Sequence, residues 1–177
     1  VFDAMVGAGV APNKFSWGTL MDAYADESNE AGCLRVLDRM GVDGTPLDSI
    51  IVATYLKCLG TLRLPAQAEE FLTWPLIAPF AHDPSVLQAL ARTYALASKR
   101  VSNLERFETV VAENSQCTLW LAVALHRSGD SDEALLWVEK CQAPSLALLS
   151  IKCSISSKIG HTLFESSIQE FFEAIDP

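Results

Sequence analysis

A few basic residues recur at a regular spacing along the sequence. Lys57 and Arg92 are 35 residues apart, and His126 and Arg127 lie near the same level one further interval along. If the chain repeats at that interval, these side chains form a short cationic track for a phosphate backbone or an acidic peptide. Asp22, one interval before Lys57, opposes this track. The alternative is a set of separate, solvated surface charges.

The overall charge limits how large a phosphate-binding surface can be. The chain has 22 acidic and 13 basic residues, a formal net charge of -9. Since backbone contacts to nucleic acid need Lys and Arg, this balance argues against an extensive phosphate-binding surface. A local basic groove remains compatible with it.

The histidines do not indicate a catalytic or metal site. His82, His126 and His161 are far apart in the sequence and lack metal-ligand spacing. The neighbours His82 and Asp83 suggest an acid–base pair, but Asp83 is better explained as a helix cap. Phosphate-binding glycine motifs and the HExxH zinc motif are absent from the sequence. We therefore predict a protein that is not an enzyme, with no catalytic residue, metal, cofactor or small-molecule substrate.

The cysteines form an odd set without a CxxC pair: Cys33, Cys58, Cys117, Cys141 and Cys153. We expect reduced thiols packed in or near a core, in a reducing compartment. A single structural disulfide is the alternative.

Two apolar stretches are candidate protein interfaces. Trp74 lies in "FLTWPLIAPF", a proline-rich connection that can dock another protein. Near the end of the chain, Phe164, Phe171 and Phe172 mark a helical face that either caps the fold or packs against a partner. The other tryptophans are predicted to pack inside: Trp17, Trp120 and Trp137.

These residues are positioned by a 35-residue repeat. Three sets recur at this interval: the apolar residues Trp17, Val52, Leu87 and Leu20, Tyr55, Leu90, and the polar residues Asn13, Asp48, Asp83. The polar residues can cap helices, and the apolar spacing of three and four is that of a helix face buried on one side. Each repeat therefore predicts a pair of helices. Leu20 is expected to be a core position.

The pattern predicts helices in pairs. First helices are expected at about 14–26, 48–60 and 84–97, and second helices at about 30–41, 65–73 and 101–113. Gly41 and Gly44 are expected to end the second helix of the first pair, at about 30–41. Two capping-box spacings are expected to start later helices: Ser102 with Glu105, and Asp130 with Glu133. Residues 74–82 are predicted to be a non-helical or broken connection. Past residue 114, helices flank Gly129, and a last pair spans about 145–158 and 161–174.

The predicted architecture is all-α, a right-handed α-solenoid of stacked helix–turn–helix repeats, because each pair can bury its apolar face only against its neighbours. Residues 1–177 are expected to form a single domain. It divides into a partial repeat at 1–13, repeats at about 14–48, 49–83, 84–114 and 115–144, and a terminal pair at 145–177. No run of about 18 apolar residues predicts a transmembrane helix.

The repeat resembles the pentatricopeptide-repeat family. "KFSWGTLMDAYADESNEAGCLRVLDRM" is similar to that family's two helices and their turn, and "VFDAMVGAGVAPN" to the end of a repeat. "LWLAVALHRSGDSDEALLWVEKC" fits the same pattern and equally resembles a tetratricopeptide repeat. The likeness is good over 1–60, moderate over 84–141 and weak elsewhere.

The resemblance implies binding of single-stranded RNA, one base per repeat, with two side chains choosing the base and a third packing on it. The first complete repeat then offers Phe15 for packing, with Gly18 and Asp48 as readers. The next offers Ile50, with Ala53 and Asp83. The terminal aspartates agree with the family, whereas Gly18 and Ala53 have no side chain that can hydrogen-bond a base. The following, shortened repeat has Ser85 and Gln88.

Two functions remain open from the sequence. The first is contact with single-stranded RNA in organellar RNA metabolism or an organellar ribonucleoprotein, and the second is a protein scaffold or accessory subunit of a large organellar complex. The resemblance implies a mitochondrial or chloroplast location. Since the chain begins at Val1 inside a helical pattern and shows no targeting peptide, we expect a processed chain or a piece of a longer protein.

Overall fold

The computed structural model describes residues 2–142 and 144–159, and over those residues it is all-α, without a strand. Its ten α-helices, in chain order α1 to α10, are Phe2–Gly7, Lys14–Asp26, Glu30–Val42, Ser49–Thr61, Pro65–Leu72, Pro84–Ala97, Glu108–Val111, Ser115–Ser128, Ser131–Glu139 and Leu146–Ile159. Short 3-10 helices occupy Ala78–Phe80 and Glu105–Phe107. The helical prediction is thus confirmed for the described part of the chain.

The chain divides into two compact units, Val1–Leu90 and Ala91–Pro177. In the first unit, α2 packs against α3, the second helix of its own pair, and against α4, the first helix of the next pair. The helix α4 packs in turn on α5. Neighbouring first helices therefore lie side by side, as expected when each hairpin buries its apolar face against the next.

The predicted caps start the first helices. Asn13 accepts a hydrogen bond from the N–H of Ser16 at 2.9 Å, and Asp48 accepts one from the N–H of Ile51 at 2.8 Å. Asp83 accepts from the N–H of Ser85 at the start of α6. Each bond satisfies an N–H group that a helix leaves free in its first turn.

The core of the first unit follows the repeated register, with one difference. Trp17 and Val52, which occupy the same position in consecutive repeats, are both 0% exposed, and Tyr55 is buried. Leu20, expected in the core beside them, is only half-buried. Met21 takes its place inside, because the face that α2 turns to α3 and α4 is centred on Trp17, Met21 and Ala25.

A glycine allows α3 to approach α2 closely. A Cβ atom on Gly32 would lie 2.5 Å from Cδ1 of Tyr24, closer than real Cβ contacts come. At the other end of α3, Gly44 has a φ of +68°, and Thr45 donates its N–H to the carbonyl of Met40. Gly44 ends the helix in the predicted way, whereas Gly41 lies within α3.

The predicted helix at 101–113 is wrong. The chain there forms only the 3-10 turn Glu105–Phe107 and the four-residue α7. The hydroxyl of Ser102 is hydrogen-bonded to that of Tyr94 at 2.7 Å, and the helical turn begins only at Glu105.

The second unit packs α8, α9 and α10 on one another. Gly129 ends α8 with a φ of +100°, a left-handed conformation that suits glycine, so the predicted turn is confirmed. Asp130 occupies the cap position of α9 but accepts no capping hydrogen bond. Its carboxylate instead accepts from the hydroxyl of Ser128 at 3.2 Å and lies 3.4 Å from Arg100.

The predicted connection at 74–82 holds only a short 3-10 turn, in line with its prolines. The first helix of the predicted terminal pair is α10. The second, at 161–174, lies outside the described residues.

Candidate nucleic-acid interface

The first turns of α2 and α4 are joined by an ion pair. Lys14 Nζ, at the first position of α2, lies 2.5 Å from Asp48 Oδ2, while Asp48 Oδ1 accepts from the N–H of Ile51. Although burial alone would raise it, the pKa of Asp48 is lowered by the hydrogen bonds from Lys14 and Ile51. Both carboxylate oxygens are thus engaged, and a base at this reader position must compete with Lys14.

The cap of the next repeat, Asp83, is also engaged. Asp83 accepts from the hydroxyl of Ser85 at 2.6 Å, and this bond, opposed by burial, lowers the pKa of Asp83. The side chain of Ser49 lowers the pKa of Asp83 by a smaller amount. Ser49 and Asp83 stand 35 residues after Lys14 and Asp48.

Two large apolar side chains stay in solvent beside these contacts. Phe15 is 81% exposed and Ile50 is 64% exposed, and each is the second residue of its helix. They are equivalent by the 35-residue repeat and stand on helices that pack together. Such surfaces can stack on or pack against the flat face of a base.

The predicted reader positions Gly18 and Ala53 are half-buried in α2 and α4. A Cβ on Gly18 would meet Cδ1 of Ile51 at 3.8 Å, an ordinary van der Waals distance. The position therefore has room for a side chain that this sequence does not supply. Neither residue offers a side-chain donor or acceptor to a base.

The first cation of the predicted track is enclosed by acids. Lys57 Nζ lies 2.6 Å from Asp26 Oδ1 and 3.5 Å from Asp22 Oδ1. Its pKa is raised, chiefly by the hydrogen bond to Asp26 and, against opposing burial, by the charge of Asp22. Lys57 is thus fully charged but carries its own counterions, which weakens its attraction for phosphate.

The other two basic residues of the predicted track, Arg92 and Arg127, lie in the second unit, and each contacts a neighbouring residue. The guanidinium of Arg92 lies 5.8 Å from the centre of the Trp120 ring, and Arg127 donates to the carbonyl of Ala95 at 2.9 Å. Among the described residues, neither arginine has a carboxylate neighbour of the kind that encloses Lys57.

His126 is held neutral beside Arg127. Lys158 Nζ lies 3.0 Å from His126 Nε2, and Ser131 Oγ lies 2.9 Å from Nδ1. Since an ammonium only donates, Nε2 must accept and Nδ1 carries the proton. Burial lowers the pKa of His126, and the charges of Lys158 and Arg127 lower it further. His126 therefore adds no positive charge near neutral pH.

Trp74 lies on an apolar groove of the first unit. Its indole is 45% exposed and packs edge-on against Phe71, with ring centres 5.2 Å apart. The groove measures about 490 Å³ and runs between α3 and the connection after α5. Val42 and Leu76 on its edges are 82% and 76% exposed. Within the described residues, Trp17 and Trp137 are buried and Trp120 is half-buried, so Trp74 is the most exposed tryptophan.

Several other predictions concern chemistry and burial. None of the five cysteines forms a disulfide, and four of them are buried. Burial, the largest cause, raises the pKa of Cys33 to about 12. In residues 2–142 and 144–159 there is no group of three metal-binding side chains. His82 is exposed, and Asp83 beside it serves as the cap. The candidates His161, Phe164, Phe171 and Phe172 lie outside the described residues.

No helix in the described part of the chain has the length and hydropathy to cross a membrane. Comparison with models of known protein families and with curated proteins finds no match to this chain.

Two participants were not anticipated from the sequence. Lys14 pairs with Asp48, a predicted reader position, and Asp26 binds Lys57 more closely than Asp22 does. A signal for each was present. Side-by-side first helices bring Lys14 to the cap of the next repeat, and Asp26 lies four residues after Asp22, on the same face of α2.

Proposed function

We propose that this chain is a non-catalytic helical-repeat module that contacts single-stranded RNA, in organellar RNA metabolism or within an organellar ribonucleoprotein. The observation that carries the proposal is the pair Phe15 and Ile50, two large apolar side chains exposed at equivalent places on adjacent helices. The resemblance of the same residues to the base-packing position of pentatricopeptide repeats supports it. The location in a mitochondrion or chloroplast rests on that resemblance.

The proposed architecture is a right-handed α-solenoid. Its support is the packing of α2 on both α3 and α4, and the contact between residues one repeat apart, Asp22 and Lys57. In such a stack the first turns of successive first helices form one continuous edge. RNA would run along this edge, with bases against Phe15 and Ile50.

Stacking supplies most of the proposed affinity. The first unit holds eleven acidic and five basic residues, and Lys57 and Lys14 are already paired with carboxylates. Phosphate attraction is therefore weak. Base readout is also weak, because Gly18 and Ala53 lack polar side chains. We infer modest affinity with little sequence preference.

The test replaces the two exposed apolar residues together, Phe15→Ser with Ile50→Ser, and follows a labelled single-stranded oligonucleotide by fluorescence anisotropy. Since base stacking on an aromatic side chain contributes about 1–3 kcal/mol, the Kd should rise about tenfold. The matched control is Val42→Ser, which removes an equally exposed apolar side chain from the Trp74 groove and should leave the Kd unchanged. Equal losses in the two variants would reject the stacking edge.

A second candidate is a protein scaffold, favoured by the groove around Trp74. Its exposed apolar edges, Val42 and Leu76, are of the kind that protein interfaces cover. Trp74→Ala would then weaken attachment to a partner protein, because aromatic anchors supply much of the binding energy at interfaces. It should leave RNA affinity intact. A Trp74→Ala variant that loses RNA affinity instead would exclude this separation of roles.

A further inference from the structure

The second unit carries a groove whose charge is opposite to that of an RNA site. It lies between α9 and the segment Glu105–Val111 and measures about 540 Å³. Its apolar lining consists of Leu104, Leu136 and Trp137. Leu136 is 61% exposed, although it belongs to the helix whose other side forms the core. The groove is therefore an open apolar surface.

Carboxylates surround this surface. Glu105, Glu108, Glu133 and Glu139 all line the groove, and Lys140 is the one cation among the described residues that line it. Lys140 lies 3.3 Å from Glu108. Within the described residues no ion pair engages Glu105, Glu133 or Glu139. Three negative charges are thus left around an apolar floor.

Lys140 shows which chemistry the groove accepts. Its ammonium lies 4.0 Å from the centre of the Trp137 ring while it pairs with Glu108. An aromatic face and a carboxylate thereby hold one alkylammonium together, a favourable arrangement for a cation. The carboxylates of the remaining glutamates can pair in the same way with basic side chains of another molecule.

We propose that this groove binds a basic amphipathic helix of a partner protein. Apolar side chains of the helix pack on Leu104, Leu136 and Trp137, and its lysines or arginines face Glu105, Glu133 and Glu139. An amphipathic helix in a groove is a common recognition mode, and complementary charge orients it. A nucleic acid would bring phosphates to the same carboxylates and be repelled, so this site is separate from the proposed RNA edge.

The probe is a labelled synthetic helix with leucines on one face and lysines on the other, titrated with the full chain and followed by fluorescence anisotropy. A matched probe carries glutamates in place of the lysines. The test variant combines Glu105→Gln, Glu133→Gln and Glu139→Gln. A second variant, Leu136→Ser, changes an exposed residue and so tests the apolar floor without disturbing the fold.

The control variant combines Glu27→Gln, Asp43→Asn and Glu113→Gln, three exposed acids that do not line the groove. It changes the net charge by the same amount. We expect the groove triple variant to raise the Kd of the basic probe about tenfold, since each exposed ion pair contributes modestly. Leu136→Ser should raise it as well, and the control should change it little.

Several outcomes would overturn the proposal. If the control triple variant weakens binding as much as the groove triple variant, the probe senses only the overall charge. If Leu136→Ser has no effect, the helix does not rest on the apolar floor. Tight binding of the acidic probe would assign the groove to a different ligand.

Discussion

Asp22 and Lys57, which stand 35 residues apart in the sequence, meet across α2 and α4 with 3.5 Å between Oδ1 and Nζ. Equivalent positions of consecutive repeats are thus neighbours in space. The same contact decides the electrostatics of this face, because the residue one repeat earlier supplies a counterion to the cation. With Asp26 at 2.6 Å, Lys57 is enclosed on one side by two carboxylates.

Removing these carboxylates should release Lys57 for phosphate. The double variant Asp22→Asn with Asp26→Asn is expected to bind single-stranded RNA more tightly and to steepen the dependence of log K on log salt by about 0.7, the contribution of one phosphate contact. Lys57→Ala in the otherwise unchanged protein should alter RNA affinity little. Salt titrations by fluorescence anisotropy measure both.

The control for that prediction is Glu27→Gln with Asp43→Asn, which removes two exposed acids that do not pair with Lys57. It should leave the salt slope unchanged. An identical steepening in both double variants would attribute the effect to net charge and not to Lys57.

Gly32→Ala should destabilise the first unit. The added Cβ would lie 2.5–2.9 Å from ring atoms of Tyr24, and overpacking of this kind costs about 1–3 kcal/mol, more than the gain of about 1 kcal/mol in helix propensity. Gly41→Ala in the same helix is the matched control, because nothing lies within 4 Å of its Cβ. It should leave the free energy of unfolding unchanged or raise it. Thermal unfolding that ranks the two variants in the opposite order would contradict the close packing of α2 and α3.

Trp17→Phe should be much milder than Trp17→Ala. The indole is fully buried, and in the described part of the chain its Nε1 has no hydrogen-bond partner. A buried donor without a partner costs about 1–3 kcal/mol, so phenylalanine relieves that cost while losing some packing. Alanine relieves the same cost but loses nearly all of the packing, about 3–5 kcal/mol. Chemical denaturation showing equal losses for the two variants would contradict the close packing of the Trp17 ring.

His126 should make the second unit less stable in mild acid. Its pKa is lowered by burial and then by Lys158 and Arg127, so the unfolded side chain, with a pKa near 6.5, binds a proton more readily than the folded one. The stabilisation is complete above pH 6.5 and is lost as the pH falls through the folded-state value. Between pH 7.5 and pH 5.5 the wild-type protein should lose more unfolding free energy than His126→Gln. Parallel losses would show that other groups are responsible.

The starts of the first helices were predictable from the sequence because a cap is a local device. Asn13 and Asp48 each need only an N–H three residues further on. The shortening of the predicted helix at 101–113 to the turn Glu105–Phe107 and α7 was not predictable in this way, since no local device in the sequence marks it. Leu20 was misplaced because a register spacing alone does not tell which of two adjacent apolar residues faces the neighbouring helix.

The repeat predicted that Phe15 and Ile50 occupy equivalent positions, and both are exposed on helices that pack together. The pairing of Lys14 with Asp48 and of Lys57 with Asp26 depends on side-chain reach between helices, which spacing along one chain does not specify. These pairs leave Lys14 and Lys57 with counterions of their own.

The most direct test of the RNA-binding account is photo-crosslinking of the full chain to a single-stranded RNA containing 4-thiouridine, followed by mass spectrometry of the crosslinked peptides. Because bases are proposed to stack on Phe15 and Ile50, crosslinks should fall within residues 14–18 and 49–53 and disappear from these segments in the Phe15→Ser, Ile50→Ser variant. Absence of any crosslink at low ionic strength, or crosslinks confined to the glutamate-lined groove of the second unit, would contradict the account.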